Sequence, residues 1–166
     1  MTRPRTGPRL VLRAFTPADV PEAHRRLYGD PEVMRHIGHG SVHDLAATEA
    51  LLAAYAAHQA EHGFGFWAVD ERATGQLVGD AGLERTLRGE VELGYSLARA
   101  AWGRGYATEA GELCLAEARE LGLRELVGVV DVRNPASVRV LEKLGFRPDG
   151  ERTAYGRPHR VLRCTL

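Results

Sequence analysis

The sequence predicts a mixed α/β domain in which helices flank a central, mostly antiparallel sheet. Three strand-like runs, at residues 64–70, 76–83 and 90–97, follow one another through polar or glycine-containing turns, which is typical of an antiparallel meander. After the meander, helical patterns alternate with short apolar runs, so further strands and two helices complete the fold. The chain has 166 residues, of which 44% are hydrophobic, as expected for one globular domain.

The chain before the meander predicts one strand and two helices. Residues 9–15 alternate between apolar and polar side chains, as a half-buried strand does. Thr16 and Pro17 suit the N-cap and the first position of a helix that runs to about Tyr28. A second helix is predicted at residues 44–61. Its expected buried stripe consists of Leu45, Leu52, Tyr55 and Ala56.

The chain after the meander predicts two helices on either side of a strand. Residues 107–121 predict a helix that Gly122 caps, with Ala107, Ala110, Cys114, Ala118 and Leu121 on its buried face. The mostly apolar run 126–130 is typical of a strand that is covered on both faces. Asn134 caps a second helix, which ends at Gly145. Two weaker strands are expected at residues 146–153 and 159–165.

The charges of the chain balance, because Lys plus Arg and Asp plus Glu each total 22. No overall field therefore favours nucleic acid or an anionic membrane, and an anionic ligand needs a local site. The two cysteines, Cys114 and Cys164, lack zinc-ligand spacing, and no apolar run approaches the length of a membrane span. We expect a cytoplasmic protein with a loose leader at residues 1–8 and a single domain at residues 9–166.

A glycine-rich turn precedes the helix predicted at residues 107–121. Gly103 and Gly105 allow a positive φ and a close approach of the backbone to a ligand. The first amides of the helix lack internal acceptors and carry the positive end of its dipole. Arg104 adds a bidentate cationic donor. The turn therefore predicts a site for a phosphate or a pyrophosphate.

Two other interpretations of this turn stay open at this point. Asp131 ends the next strand, where the ribose-binding carboxylate of a dinucleotide site would lie. Against a dinucleotide, Thr108 occupies the third glycine position and the preceding strand belongs to a meander. The second alternative is a connection that binds no ligand.

Two blocks of sequence carry a resemblance, and they read WGRGYATEA at residues 102–110 and NPASVRVLEKLGF at residues 134–146. Supporting blocks lie at residues 9–13, 30–34, 66–69 and 92–97. With these blocks the chain resembles, over nearly its whole length, the GNAT superfamily of acyl-CoA N-acyltransferases. Within that superfamily it is most similar to the group that contains the bacterial ribosomal-protein N-terminal acetyltransferases.

The resemblance implies a GNAT-like fold with a splayed strand pair, and direct transfer of an acetyl group from acetyl-CoA to a primary amine in a ternary complex. It implies that Asn134 binds the pantetheine arm or the acyl region, and that Ser137 offers a hydroxyl to the departing thiolate. Trp102 stands where the general pattern has Gln or Arg, which leaves Arg104 as the main charged contact. The expected cofactor-binding residues are Ser96, Leu97, Gly103, Arg104, Gly105, Tyr106, Ala107, Thr108, Asn134 and Lys143.

Glu92 is the candidate general base that would deprotonate the attacking amine. It shares a strand face with Glu90, Gly94 and Ser96, and the opposite face, which includes Tyr95, reads as core. A solvated Glu92, with a water relay as the base, is the alternative.

The acceptor amine belongs to a protein N-terminus or to a small molecule, and the sequence does not choose between them. His36, His39 and His43 do not form a metal-ligand set, and the resemblance places their loop beside the acceptor. Phe66 and Trp67 are expected in the core, with one of the two near the acceptor. The protein is expected as a monomer or a homodimer without a metal. A non-catalytic acyl-CoA-binding module of the same fold is the alternative function.

Overall fold

The computed structural model describes residues 3–166, and within them one eight-stranded sheet has the strand order β1-β2-β3-β4-β5-β6-β8-β7. All neighbouring strands are antiparallel except the parallel pair β5 and β6, so the predicted mixed α/β fold with a mostly antiparallel sheet is confirmed. The strands are β1 (Arg5–Thr6), β2 (Leu10–Arg13), β3 (Phe66–Glu71), β4 (Gln76–Arg85), β5 (Val91–Leu97), β6 (Glu125–Asp131), β7 (Arg147–Ala154) and β8 (Arg157–Thr165).

Part of the segment predicted as a loose leader is joined to the sheet. Arg5 and Thr6 pair with β2, and the Arg5 guanidinium donates to the carboxylates of Glu117 and Glu120. Met1 and Thr2 lie outside the described residues. A domain boundary at residue 9 stays a prediction.

Within residues 3–166, five α-helices flank the sheet, and they are α1 (Val20–Ala23), α2 (Pro31–Met34), α3 (Leu45–His62), α4 (Tyr106–Glu120) and α5 (Pro135–Lys143). The first predicted helix is divided into a 3-10 turn at Pro17–Asp19, then α1, then a π-helical segment at His24–Tyr28. No helix within residues 3–166 is long and apolar enough to cross a bilayer.

The predicted buried stripe of α3 is wrong at two of its four positions. Leu52 is buried and Tyr55 is packed against the core, but Leu45 is 52% exposed and Ala56 is exposed. The helix is rich in alanine on all sides, so its sequence pattern did not define a single face. It touches the domain along a narrow seam that includes Thr48, which is fully buried.

The buried face of α4 was predicted correctly in its centre and wrongly at its end. Ala110, Cys114 and Ala118 are fully buried, whereas Leu121 is 42% exposed. The helix ends at Glu120, and the left-handed Gly122 then turns the chain away from the helix axis, which leaves Leu121 at the surface.

The parallel pair β5 and β6 is splayed, as expected from the resemblance. Their register consists of the single pair Glu92 and Val127. By contrast, β4 and β5 pair continuously from Gly79 with Leu97 to Arg85 with Val91. The end of β5 is therefore free of β6, and a wedge opens in the sheet beside the N-termini of α4 and α5.

Two glycines bring α5 close to its neighbours. A Cβ at Gly111 would lie 2.4 Å from Leu144, and one at Gly128 would lie 2.4 Å from Leu141. Their hydrogen atoms thus let α5 pack directly against α4 and β6. This packing fixes the start of α5 at the edge of the wedge.

Candidate active site

A first cleft of about 580 Å³ lies between the glycine turn, the start of α5 and the α2 region. It contains most of the residues predicted to bind the cofactor. Those that line it are Ser96, Leu97, Gly103, Gly105, Tyr106, Ala107, Thr108, Asn134 and Lys143. Its charged side chains are Arg35, Arg133 and Lys143 against Glu32, so the formal charge of the lining is positive. Arg35 lies 3.5 Å from Glu32, and Arg133 lies 2.7 Å from Asp131.

The glycine turn has the predicted backbone. Gly103 has φ 71° and Gly105 has φ 76°, both in the left-handed region that favours glycine. Gly105 is the N-cap of α4, and no side chain caps this end of the helix. The first internal bond runs from the Glu109 amide to the Gly105 carbonyl, so the amides of residues 105–108 are available to an anion in the cleft.

Arg104 does not line this cleft. Its guanidinium lies 2.8 Å from the Glu71 carboxylate and 4.5 Å from the centre of the Tyr106 ring. The Tyr106 hydroxyl donates to the same carboxylate at 2.6 Å. Arg104 would have to leave Glu71 to reach a pyrophosphate in the cleft, and its predicted role as the main charged contact stays a prediction.

A second set of contacts holds the turn from the N-terminal side. Arg9 donates to the Arg104 carbonyl and to the Glu109 carboxylate, each at 2.7 Å. The backbone amides of Arg9 and Leu10 donate to the other oxygen of Glu109. Glu109, which is 6% exposed, was not predicted as a site residue from the sequence, because its partners lie about a hundred positions away in the chain.

A second cleft of about 640 Å³ lies on the other side of the wedge and has the opposite charge. Four carboxylates line it, while no Lys or Arg does. These carboxylates belong to Asp80, Glu84, Glu92 and Asp131. The aromatic rings of Tyr28, Tyr55, Phe66 and Tyr155 also line it. Phe66 is thus the aromatic residue of the predicted pair that faces this cleft, while Trp67 is buried in the core.

His36, His39 and His43 line the second cleft, where the resemblance places the acceptor. His36 also lines the first cleft. Within residues 3–166 there is no group of three or more His, Cys, Asp and Glu side chains that could hold a metal ion.

The two clefts meet at Tyr95, Ser96, Asn134 and Ser137, which line both of them. The Tyr95 hydroxyl donates to the Ser137 carbonyl at 3.0 Å and lies 2.9 Å from the Ser137 hydroxyl. Burial raises the pKa of Tyr95 to about 12, so its hydroxyl stays protonated. Tyr95 was predicted from the sequence to lie in the core, and the place of its hydroxyl at this junction was not predicted.

Asn134 caps α5 as predicted, and its Oδ1 accepts a hydrogen bond from the Ser137 amide at 3.2 Å. This bond uses the oxygen of the side-chain amide and leaves the nitrogen at the junction of the clefts. Ser137 occupies the third position of the helix, which presents its hydroxyl to Tyr95. The capping and ligand-facing interpretations of Asn134 are therefore compatible.

The side chain of Ser96 has a structural role. Its amide and its hydroxyl both donate to the fully buried carboxylate of Asp80, which also accepts from the Tyr28 hydroxyl. Burial raises the pKa of Asp80. A contact of Ser96 with a ligand would consequently use its carbonyl or its Cβ.

Glu92 lies in the second cleft near the wedge. Burial, reinforced by the neighbouring Glu84, raises the pKa of Glu92 to about 7, from its usual 4.5. A carboxylate with a pKa near neutrality can both accept and release a proton at physiological pH. The geometry is therefore compatible with the predicted base.

Asp131 does not have the environment of a ribose-binding carboxylate. It lies 2.7 Å from the Arg133 guanidinium and 3.5 Å from that of Arg157. The hydrogen bond from Arg133 holds the pKa of Asp131 well below its usual range. The strand before the glycine turn is also antiparallel to its predecessor β4, unlike the strands of a dinucleotide fold.

The splayed strand pair, with the glycine turn and α4 beside it, has the arrangement that the resemblance to acyltransferases implied. Residues 9–147 match the family described as "Acetyltransferase (GNAT) domain", and the chain belongs to this family.

Relatives and solved structures are similar over nearly the whole chain. The Bacillus subtilis protein named "Uncharacterized N-acetyltransferase YoaA" is 29% identical over 151 residues, which are 89% of this chain and 84% of the relative. The structure of the acetyltransferase from Agrobacterium tumefaciens str. C58 has a TM-score of 0.87 and 28% identity, with 100% of this chain and 96% of that chain covered. RimL, described as a ribosomal L7/L12 alpha-N-protein acetyltransferase in complex with coenzyme A, has a TM-score of 0.83 at 16% identity, with 98% and 97% covered. The likeness to RimL shows the fold alone.

Proposed function

We propose that the protein transfers the acetyl group of acetyl-CoA to a primary amine by direct attack in a ternary complex. The observation that carries this proposal is the opposite charge of two clefts that meet at the hydroxyls of Tyr95 and Ser137. An anionic cofactor suits the positive cleft, and an amine, which is cationic in water, suits the negative one.

The first cleft offers the groups that an anionic cofactor needs. The amides of residues 105–108 and the side chain of Lys143 would hold phosphate groups, while Arg35 and Arg133 would reach them only by leaving Glu32 and Asp131. The Asn134 side-chain nitrogen would donate to the pantetheine arm. When bound, acetyl-CoA supplies the thioester whose carbonyl carbon the amine attacks.

The exchange of a C–S bond for a C–N bond releases a proton from the amine and a thiolate from the thioester. Glu92 accepts the proton of the attacking amine, directly or through water, because its pKa of about 7 lies within reach of neutral pH. Ser137 donates a hydrogen bond to the departing sulfur and stabilises its negative charge, and the thiolate then takes up a proton from solvent. Tyr95, 2.9 Å from the Ser137 hydroxyl, orients that hydroxyl as a donor when it donates to the Ser137 oxygen.

A covalent acyl-cysteine intermediate does not fit the structure. Cys114 is fully buried in the core, and burial raises the pKa of its thiol, so it is neither accessible nor ionised. Cys164 is also buried, and burial raises its pKa. Direct transfer in a ternary complex is the mechanism that these sites support.

A protein N-terminus and a small-molecule amine are both acceptors in this proposal. The resemblance to the ribosomal-protein group supports the first, and RimL is a structural neighbour with that described activity. Among the carboxylates of the second cleft, those of Glu84 and Glu92 support a cationic amine of either kind, because Asp131 is paired with two arginines and Asp80 is buried.

The test is the release of free thiol from acetyl-CoA in the presence of a panel of peptides with free N-termini and of small amines. Mass spectrometry then identifies the acetylated product. We expect at least one amine of the panel to be acetylated, and Ser137→Ala to slow that reaction. Binding of acetyl-CoA without transfer to any amine would favour the non-catalytic module instead.

A further inference from the structure

Two arginines of the segment 5–10 tie it to opposite ends of α4. Arg9 pairs with Glu109 in the first turn of the helix, and Arg5 pairs with Glu117 near its end. Both glutamates are 6% exposed. The two ties therefore have the same chemistry, but the first lies beside the glycine turn and the second lies at the far end of the helix.

The Glu109 carboxylate accepts hydrogen bonds from three donors of this segment. One oxygen accepts from the backbone amides of Arg9 and Leu10 at 2.7 and 3.0 Å, and the other accepts from the Arg9 guanidinium at 2.7 Å. A Cβ at Gly7 would lie 2.8 Å from the first of these oxygens, so glycine at this position leaves room for the carboxylate. Glu109 therefore fixes the place of the Arg9 guanidinium.

The Arg9 guanidinium reaches the glycine turn from outside the clefts, which neither Arg9 nor Glu109 lines. It donates to the Arg104 carbonyl at 2.7 Å. That carbonyl and the Gly105 amide belong to one trans peptide, a planar group in which the C=O and N–H bonds point in opposite directions. A carbonyl that points towards Arg9 directs the Gly105 N–H away from Arg9, and Gly105 lines the first cleft.

We propose that Glu109 and Arg9 are positioning residues of the cofactor site, which direct the Gly105 amide towards a phosphate group. Glu109 acts through Arg9, and Arg9 acts through the peptide bond between residues 104 and 105. Amides that already point at the ligand bind it without a cost for ordering the turn. This inference rests on the proposed function, because the turn is the part of the site that would hold the pyrophosphate of acetyl-CoA.

Glu109→Gln should release the Arg9 guanidinium and keep the backbone contacts. The Gln oxygen can still accept from the amides of Arg9 and Leu10, but its NH2 group then faces the guanidinium, with donor against donor. The matched control is Glu117→Gln, which makes the same change at the same exposure and removes the partner of Arg5.

The affinities for acetyl-CoA and for inorganic pyrophosphate are measured by titration calorimetry on the full chain, and Tm is measured for each variant. Both substitutions should lower Tm by similar amounts. Glu109→Gln should weaken both ligands about tenfold, since one charge-assisted hydrogen bond has an effect of that order, whereas Glu117→Gln should bind as the wild type does. With an identified acceptor, Glu109→Gln should raise KM for acetyl-CoA and leave kcat nearly unchanged.

Arg9→Lys is a second variant that does not depend on the folding of Glu109→Gln, because the Arg9 side chain is half-exposed. Lysine keeps an ion pair with Glu109 but lacks the fork that reaches the Arg104 carbonyl at the same time. It should weaken both ligands as much as Glu109→Gln does. The double variant should bind no more weakly than Arg9→Lys alone, because the two residues act as one unit.

Equal affinities in Glu109→Gln and Glu117→Gln, or an unchanged affinity in Arg9→Lys, would overturn the inference and leave both pairs as structural ties. Binding of pyrophosphate without binding of acetyl-CoA would contradict the proposed function, and a tenfold loss of pyrophosphate affinity in Glu109→Gln would still support the inference. Binding of neither ligand to the wild-type protein would overturn both.

Discussion

Tyr95 and Ser137 come from different elements, and their hydroxyls lie 2.9 Å apart where the two clefts join. The single Tyr95 proton can be donated to the Ser137 carbonyl at 3.0 Å or to the Ser137 hydroxyl oxygen at 2.9 Å. When Tyr95 donates to the hydroxyl oxygen, the Ser137 proton is free to point into the cleft. The contact with Tyr95 therefore supports a role for Ser137 as a hydrogen-bond donor. Its position at the start of a helix alone does not.

Ser137→Ala should separate the chemical role of this residue from its structural role. Alanine is the better helix former by a few tenths of a kcal/mol, so stability should change little. Loss of one donor to the departing sulfur should lower kcat by about ten- to a thousandfold, while KM for acetyl-CoA changes less. Steady-state kinetics on an identified acceptor measure both. An unchanged kcat would leave Ser137 as a helix-start residue.

Glu92→Gln should change the pH dependence of the reaction. In the wild-type protein, kcat/KM should rise as pH passes through about 7, because Glu92 then becomes the carboxylate that accepts a proton. The variant should lose this inflection and follow the ionisation of the amine at higher pH. A wild-type profile without an inflection near 7 would contradict Glu92 as the base.

Glu92→Gln should also change the stability of the protein, by an amount that depends on pH. The folded-state pKa of Glu92 is about 7, above its usual 4.5, so the folded protein binds this proton more tightly than the unfolded chain does. The resulting stabilisation is complete below pH 4.5 and is lost as pH rises through 7. Glu92→Gln should therefore raise Tm at pH 8 relative to wild type, and by less at pH 5. Thermal unfolding at the two pH values checks this, and the control is Glu112→Gln, which removes the same charge from an exposed position of α4.

Sequence patterns predicted the position of most site residues but not the direction of every side chain. Gly103 and Gly105 were predictable because the turn itself requires a positive φ. The direction of the Arg104 side chain was not predictable, because its partner Glu71 lies on a strand 33 positions earlier and the two meet through tertiary packing. Tyr95 was assigned to the core because its ring packs there, although its hydroxyl reaches Ser137.

At the scale of elements, the start of α4 combines an available row of amides with a turn that is held on both sides. Arg9 donates a hydrogen bond to the Arg104 carbonyl, and the Glu71 carboxylate pairs with the Arg104 guanidinium. These contacts fix the turn before any ligand arrives, so ordering the turn should cost little free energy on binding.

Gly105→Ala should test this arrangement against a matched control. A residue other than glycine at φ 76° costs about 1 kcal/mol or more, and a change of the turn would misalign the amides. Gly122→Ala imposes a similar strain at φ 72° at the opposite end of α4. Both variants should lose similar stability, but Gly105→Ala should weaken acetyl-CoA binding, as measured by calorimetry. Equal affinities in the two variants would show that the turn is only a connector.

The elements themselves were predictable where periodicity and caps agreed. Asn134 and Gly145 bracket α5 as expected, and the amide of Phe146 returns to the Leu141 carbonyl beyond the helix end. In α3 the caps were informative but the face was not, since alanine contributes little to a distinct apolar stripe. The short α2 was not predicted, because four residues do not establish a period.

At the scale of the whole molecule, a formal net charge of zero conceals two local fields of opposite sign. Arg133 of the first cleft pairs with Asp131 of the second at 2.7 Å, and the remaining charges are divided between the clefts, so the charge that a ligand meets depends on which side of the wedge it enters. Sequence totals could not reveal this separation, because the tertiary fold assigns each charge to a cleft.

Acetyl-CoA should stabilise the folded protein in a manner that depends on salt. A ligand at a hundred times its Kd adds about 2.7 kcal/mol, which for a chain of this size raises Tm by about 5 to 10 °C. Raising the ionic strength should reduce the shift, because the positive groups of the cleft are partly exposed. Thermal shift assays with acetyl-CoA and NAD check this, and a shift with NAD in place of acetyl-CoA would contradict the proposed cofactor.

Lys143→Gln should reduce the rise in Tm caused by acetyl-CoA more than Arg139→Gln does. Both residues are on α5, but Lys143 lines the first cleft and Arg139 is exposed outside both clefts. The two substitutions remove the same charge from one helix. An equal loss of cofactor affinity in both would indicate a general charge effect rather than a contact in the cleft.

The single backbone pair between β5 and β6 divides the hydrogen-bond network of the sheet into two ladders, β1–β5 and β6–β8. Ladders that share so little can open as separate cooperative units. Hydrogen–deuterium exchange of the free protein should then be faster at the facing edges of β5 and β6 than in β4 or β8. A ligand in the wedge would contact both ladders and slow the exchange at their facing edges. The two ladders would then open together as one cooperative unit only when the substrate is bound.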